Sequence, residues 1–134
     1  MNNEEHLKLA VDKIIGNGDI GEIKNLFSPD YVAHAGEKKY KGHEFIKKYS
    51  KQLSSAIPDI KILNIEILNK SGNVITWQRV FKGTHKKNLR GIPPSGKKIQ
   101  WTEMVVSRFE KNKIVEEWVV SELAAQLALK KPKR

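Results

Sequence analysis

Three segments in the last third of the chain, 74–85, 98–109 and 113–122, alternate bulky apolar residues with smaller or polar ones. Successive residues of a strand face opposite sides, so this period of two implies strands and sorts their residues onto faces. Ile75, Trp77, Arg79, Phe81, Gly83 and His85 share one face of the first segment. Ile99, Trp101, Glu103, Val105, Ser107 and Phe109 share one face of the second. A two-residue hairpin loop at Lys111-Asn112 pairs Phe109 with Ile114. Regular pairing onward sets Val105 opposite Trp118, Glu103 opposite Val120 and Trp101 opposite Glu122. This register predicts one aromatic face that carries all three tryptophans with Arg79, Glu103, Glu116, Glu122 and His85. Apolar rings with a few charged groups line ligand cavities. The alternative is a solvated row of charges at the sheet's rim.

The preceding residues read mainly as helices. Segment 4–15 carries the stripe Leu7, Ala10, Val11, Ile14 and Ile15, and Gly16-Asn17-Gly18 stops it. Asp19 caps a short helix with Ile20, Ile23 and Leu26 on one side, and Pro29 forbids its continuation. Segment 30–35 is extended and carries Tyr31 and His34; 36–41 reads as a polar loop. A third helix spans 42–56, with Phe45, Ile46, Tyr49, Leu53 and Ala56 as its stripe, and Pro58 ends it. Segment 60–68 is rich in β-branched residues and reads as a strand; 121–129 closes the chain as a short helix. Helices first and antiparallel strands after give an α+β fold, a curved sheet covered on one face by three N-terminal helices. One domain over 1–129 accounts for the length, with 130–134 as a disordered basic tail.

A formal charge of +10 raises nucleic acid as a partner. Four of those positive charges lie in the tail, Lys130, Lys131, Lys133 and Arg134, and most other lysines are dispersed. Specific nucleic-acid binding is therefore not expected. No apolar run approaches the ~20 residues of a membrane span, so no membrane partner is expected. The chain has no cysteine and begins with polar, acidic residues, in keeping with a cytoplasmic protein. His6, His34, His43 and His85 show no metal-ligand spacing, so no metal is expected, and the glycines of 83–96 do not form a phosphate loop.

Five blocks occur in order along the chain: Phe27-Ser28-Pro29-Asp30-Tyr31-Val32-Ala33-His34, Ala56-Ile57-Pro58-Asp59, Gly83-Thr84-His85, Gly91-Ile92-Pro93-Pro94-Ser95-Gly96-Lys97 and Lys113-Ile114-Val115-Glu116-Glu117-Trp118. As a set they resemble the SnoaL-like polyketide cyclase family. The resemblance implies the cone-shaped α+β fold shared with nuclear transport factor 2 and ketosteroid isomerase, and a homodimer. It implies ring closure of an aromatic polyketide by intramolecular aldol condensation, with no metal or organic cofactor. In the family an Asp a few residues after a tryptophan of the last strand is the general acid and base. Here that neighbourhood is Trp118-Val119-Val120-Ser121-Glu122, with Glu122 for the family's Asp. Glu103 is the implied polar partner on the adjacent strand, and the family pattern puts His34 at the pocket.

The candidate catalytic residues are thus Glu122, Glu103 and His85, and the candidate ligand contacts are His34, Trp77, Arg79, Trp101 and Trp118. Each has a structural alternative. Glu122 can serve the N-terminus of the last helix. Arg79 can form an internal salt bridge with Glu103 or Glu116. His85 can be a solvated strand end, and the tryptophans can be core. Two function classes follow: an enzyme acting on a carbonyl compound without cofactor, or a non-catalytic module that binds an apolar or aromatic small molecule or dimerises. The opposite sheet face, Thr76, Gln78, Val80, Thr102, Met104, Val106, Val115 and Val119, is apolar enough to predict a homodimer through it.

Overall fold

The computed structural model describes residues 2–129. Helix α1 (Asn3–Ala10) starts on Asn2, whose side chain accepts from the Glu5 N–H at 2.8 Å, and runs on as a π-helical segment, Val11–Gly16. A single 3₁₀ turn (Ile20–Glu22) leads into α2 (Ile23–Leu26), and the chain then enters β1 (Phe27–Ala35). Segment 38–41, expected as loop, is instead the short edge strand β2 (Lys38–Lys41), paired antiparallel with β1. Lysine-rich and four residues long, it lacks the apolar alternation that marks a strand, as edge strands often do. Then come α3 (Gly42–Ala56), β3 (Lys61–Ser71), β4 (Val74–Thr84), β5 (Lys98–Glu110), β6 (Lys113–Ser121) and α4 (Leu123–Leu129).

The six strands form one mixed sheet in the order β2-β1-β6-β5-β4-β3. Only β1 and β6 run parallel. This is the expected α+β architecture; among the described residues the closing helix is the fourth α-helix, and the N-terminal set is less simple than expected, broken up by π-helical and 3₁₀ segments and by β1 and β2. The core lies between the N-terminal helices and the sheet, around Leu7, Ile23, Leu53, Trp77, Phe81 and Trp101. His6, which reads as a helix-surface residue, is in fact buried there, with its Nε2 2.8 Å from the Leu26 carbonyl. Within the π-helical segment the Ile14 carbonyl accepts from Ser50 Oγ of α3 at 2.6 Å, a buried bond that ties the two helices together.

The expected register fails at one residue. The hairpin loop is the two-residue turn anticipated, with Lys111 and Asn112 both at positive φ, and Phe109 does pair with Ile114. The next pair is Arg108 with Glu116, so Val115 is an extra residue in β6. Such a bulge shifts the strand by one and sends every later side chain to the other face. Ser107 pairs with Glu117, Val105 with Val119 and Glu103 with Ser121. Trp77 and Trp118 therefore lie on opposite faces, although the architecture around them is the one expected. At this end of the sheet the Asn73 side chain donates to the Phe109 carbonyl at 2.6 Å.

Near the end of β4 the sheet meets the segment after α3 with no room for a side chain. A Cβ on Gly83 would stand 2.2 Å from Ile57 Cγ2 and 3.3 Å from the Ile60 backbone. The adjacent Thr84 N–H and hydroxyl both donate to Asp59, each at 2.7 Å, and fix that approach. Gly83→Ala should cost about 1–3 kcal/mol, the usual range for overpacking a core, measured as a lower urea midpoint at unchanged slope.

Candidate functional site

A cavity of about 810 Å³ opens between the helices and the sheet. Its apolar wall comes from α1 and the π-helical segment (Leu7, Ala10, Val11, Ile14, Ile15), from β1 (Phe27, Ala33) and from α3 (Phe45, Ile46). Its polar groups form two rows across the sheet.

The first row crosses three strands. Arg79 on β4 is directly opposite Glu103 on β5, and Glu103 is directly opposite Ser121 on β6. Arg79 Nε and Nη2 both donate to Glu103 Oε1, at 2.7 and 2.6 Å, and Ser121 Oγ donates to Oε2 at 2.7 Å. Glu103 is 1% exposed, so the pair sits in a low dielectric where neither charge is stable alone. The guanidinium lies 5.1 Å from the Trp77 ring and 5.5 Å from the Phe81 ring, contacts that also favour the cation. Burial alone would lower the Arg79 pKa; Glu103 and the other negative neighbours reverse this, and the net shift is upward.

The second row is centred on Glu117. Tyr31 OH donates to its Oε1 at 2.8 Å, Ser107 Oγ donates to its Oε2, and Trp77 Nε1 donates to Ser107 Oγ at 2.9 Å. Four positions along β5 separate Glu103 from Ser107, roughly 13 Å of strand. Tyr49 of α3 also lines the cavity, and its hydroxyl has no hydrogen-bond partner among the described residues. Burial raises the pKa of both phenols, with Glu103 adding to the effect at Tyr49 and Glu117 at Tyr31, so both stay protonated donors near neutral pH.

The cavity thus brings together three of the eight residues anticipated from sequence: Glu103, Arg79 and Trp77. The other five lie elsewhere. Trp101 faces inward but is core, packed against Phe81 with ring centroids 5.3 Å apart. Trp118 is 40% exposed on the outer face, stacked at 5.0 Å on His34, which the alternation of β1 turns away from inward-facing Tyr31 and Ala33. His34 Nε2 is 2.6 Å from Glu116, and this bond, together with Arg108, holds the Glu116 carboxyl below its usual range. His85 is wholly buried at the end of β4 and does not line the cavity; its N–H donates to the Lys97 carbonyl at 3.0 Å, and both ring nitrogens lack partners among the described residues. Glu122 is exposed: its carboxylate accepts from the Thr102 N–H at 2.9 Å, securing the junction of β5 with the start of α4.

Sequence reasoning missed Glu117, Tyr31, Tyr49, Ser107 and Ser121. Tyr49 was visible as part of the α3 stripe, but a stripe residue is core by default. Glu117 was hidden by the register, although the adjacent apolar pair Ile114-Val115, both buried, breaks the alternation where the bulge occurs.

The profile of the SnoaL-like polyketide cyclases matches residues 5–128. The chain belongs to this family. No curated protein matches it in sequence. Among solved structures, a SnoaL-like polyketide cyclase from Agrobacterium tumefaciens is 19% identical, with 96% of this chain and 98% of that one covered and a TM-score of 0.76. A protein from Jannaschia sp. CCS1, provisionally assigned to the SnoaL-like cyclases, reaches a TM-score of 0.86 at 16% identity, over 98% and 93% of the two chains. AclR from Streptomyces galilaeus, provisionally named a hydroxylase, is 20% identical over 96% and 98%, with a TM-score of 0.72. At these identities the likeness establishes the fold. It also places differently named proteins on the SnoaL-like scaffold, so chemistry has to be argued from the site.

The Arg79–Glu103 pair yields a stability prediction. Arg79→Met leaves Glu103 buried without its cation and should cost about 3–5 kcal/mol. Replacing both partners, as Arg79→Met with Glu103→Leu, should restore most of that loss. Urea unfolding of the two single variants and the double variant measures the coupling.

Proposed function

We propose that this chain is an enzyme that moves a proton next to the carbonyl group of an apolar, aromatic or polyketide-like small molecule, with aldol ring closure as the family's characteristic outcome. One observation carries the reading: a largely apolar chamber is lined both by an ion-paired carboxylate, Glu103 with Arg79, and by a phenol, Tyr49, that has no hydrogen-bond partner among the described residues. In the proposed reaction a Glu103 oxygen removes the proton alpha to the substrate carbonyl. Negative charge then develops on the carbonyl oxygen, and the Arg79 guanidinium and the Tyr49 hydroxyl stabilise it. The enolate carbon forms a bond to a second carbonyl carbon of the same molecule, and the resulting alkoxide takes the proton back from Glu103. Every proton is assigned to the chain's own side chains, so the reading calls for no cofactor. Glu117 orients Tyr31 at the far side of the chamber. The roles anticipated for Glu122 and His85 pass to Glu103 and Tyr49, since the former pair does not line the chamber.

A second reading rests on the same pair. Arg79 and Glu103 satisfy one another without any ligand, as in a binding module that performs no chemistry. Deuterium exchange separates the two. An aryl alkyl ketone in D₂O, followed by proton NMR, should lose its alpha-proton signal faster with the protein than without it. Glu103→Gln should slow the catalysed exchange by about 10²–10⁴-fold while the variant stays folded. Ketones that bind but never exchange would favour the binding module.

We also propose that the chain forms a homodimer through the outer sheet face. The bulge alters that face from the one anticipated: Val119 turns inward to the cavity, Trp118 joins Met104 outside, and exposed Val120 lies where the outer face meets the cavity rim. Val120 is 74% and Met104 39% exposed, an apolar surface of the kind that marks interfaces. Sedimentation at micromolar concentration should give twice the 15.3 kDa chain mass, and Met104→Lys should shift the population toward monomer.

A further inference from the structure

We infer that the ligand of this cavity carries an anionic group at the end that stays at the mouth, held by Lys38, Lys48 and Arg90. The inference rests on the proposed function in taking the Glu103 end of the cavity as the reacting end.

The three cations come from three separate elements, the start of β2, the exposed side of α3 and the loop between β4 and β5. All three are exposed and all three border the cavity. None forms an ion pair among the described residues. The nearby acid of α3, Glu44, is engaged by Lys47 at 3.2 Å. The interior differs, since its one cation, Arg79, is bound to Glu103. Three cations without an ion pair among the described residues therefore border the mouth, and the carboxylates that line the cavity, Glu103 and Glu117, lie inside.

Arg90 is also held there by its backbone. It has φ 53, a left-handed conformation that non-glycine residues seldom adopt. Leu89 and Ile92 exchange two backbone hydrogen bonds, at 3.1 and 2.9 Å, and close the loop around it. Buried Leu89 anchors that loop, so Arg90 is directed outward to the rim. An unfavourable conformation enforced at a cavity mouth is a pointer to function. Gln52, one helical turn beyond Lys48, adds an uncharged donor to the same rim.

This distribution orients a ligand. An anionic group is attracted to the rim and repelled by Glu117, which no cation pairs among the described residues, while the Arg79 charge is already taken by Glu103, so the apolar body and its carbonyl enter first. The class of ligand is an amphipathic carboxylate, sulfonate or phosphate with an aromatic or polyketide-like body.

Two dyes with the same aromatic body test this. 8-Anilino-1-naphthalenesulfonate carries an anionic group, and N-phenyl-1-naphthylamine is its uncharged counterpart. Fluorescence titration of the folded protein at low ionic strength should show the sulfonate binding about tenfold more tightly. That advantage should disappear in 0.5 M salt, where screening is strong, about 4 Å. Lys48→Gln and Arg90→Gly should each weaken the sulfonate by about two- to fivefold, the scale of exposed charge pairs, and leave the neutral dye unchanged. Glycine at 90 keeps the backbone conformation, so its effect reports the lost charge. Ala33→Phe, which fills the chamber, should abolish binding of both dyes. Equal affinity for the two dyes, insensitivity to salt, or sulfonate binding that survives Ala33→Phe overturns the inference. If ketone exchange occurs and the sulfonate still has no advantage, the rim assignment alone fails. If neither dye binds, both the rim assignment and the proposed function are overturned.

Discussion

One unpaired residue in β6 decides which side chains this protein places in its cavity. Val115 has no partner on β5, and from that point the strand is displaced by one. A strand has only two faces, so the displacement exchanges them completely. Glu117, Val119 and Ser121 turn inward, while Glu116, Trp118 and Val120 turn outward. Without the bulge Glu103 would face Val120 and lose the hydroxyl that Ser121 now donates. The outward set is organised as well: Glu116 ties His34 to Arg108, and Trp118 stacks on His34.

The Arg79–Glu103 pair depends on this arrangement. Removing two charges from water is costly, and their attraction compensates only where geometry and further hydrogen bonds are good. Here one carboxylate oxygen takes two N–H groups and the other takes a hydroxyl, with aromatic faces beside the guanidinium. An apolar pair of similar volume would hold the fold about as well. What the ion pair adds is a fixed positive and a fixed negative charge in a largely apolar chamber, the preorganised field on which the proposed carbonyl chemistry would draw.

The cavity also reflects how its walls are joined. The π-helical segment, fastened by Ser50 of α3, supplies Val11, Ile14 and Ile15 to one wall. Glu122 and His85, both close to the cavity in sequence terms, serve the frame instead. One secures β5 to the start of α4 through the Thr102 N–H, and the backbone of the other pairs with Gly96 and Lys97 across the base of the loop that carries Arg90.

The sequence by itself determined the order of elements, the α+β class and the faces of β4 and β5. Alternation on those two strands runs unbroken over eleven and thirteen residues, and a period of two leaves little ambiguity. Glu103, Arg79 and Trp77 were legible for that reason. Tertiary structure alone decided the faces of β6, because a bulge is a pairing between strands and alternation within one strand does not encode it. It decided β2 as well, whose lysines form a strand only beside β1. It chose Glu117 over Glu116 and Glu122, and it brought Tyr49 from α3 and Arg90 from a distant loop to one chamber. Those placements depend on packing between residues far apart in the chain, which local periodicity does not carry.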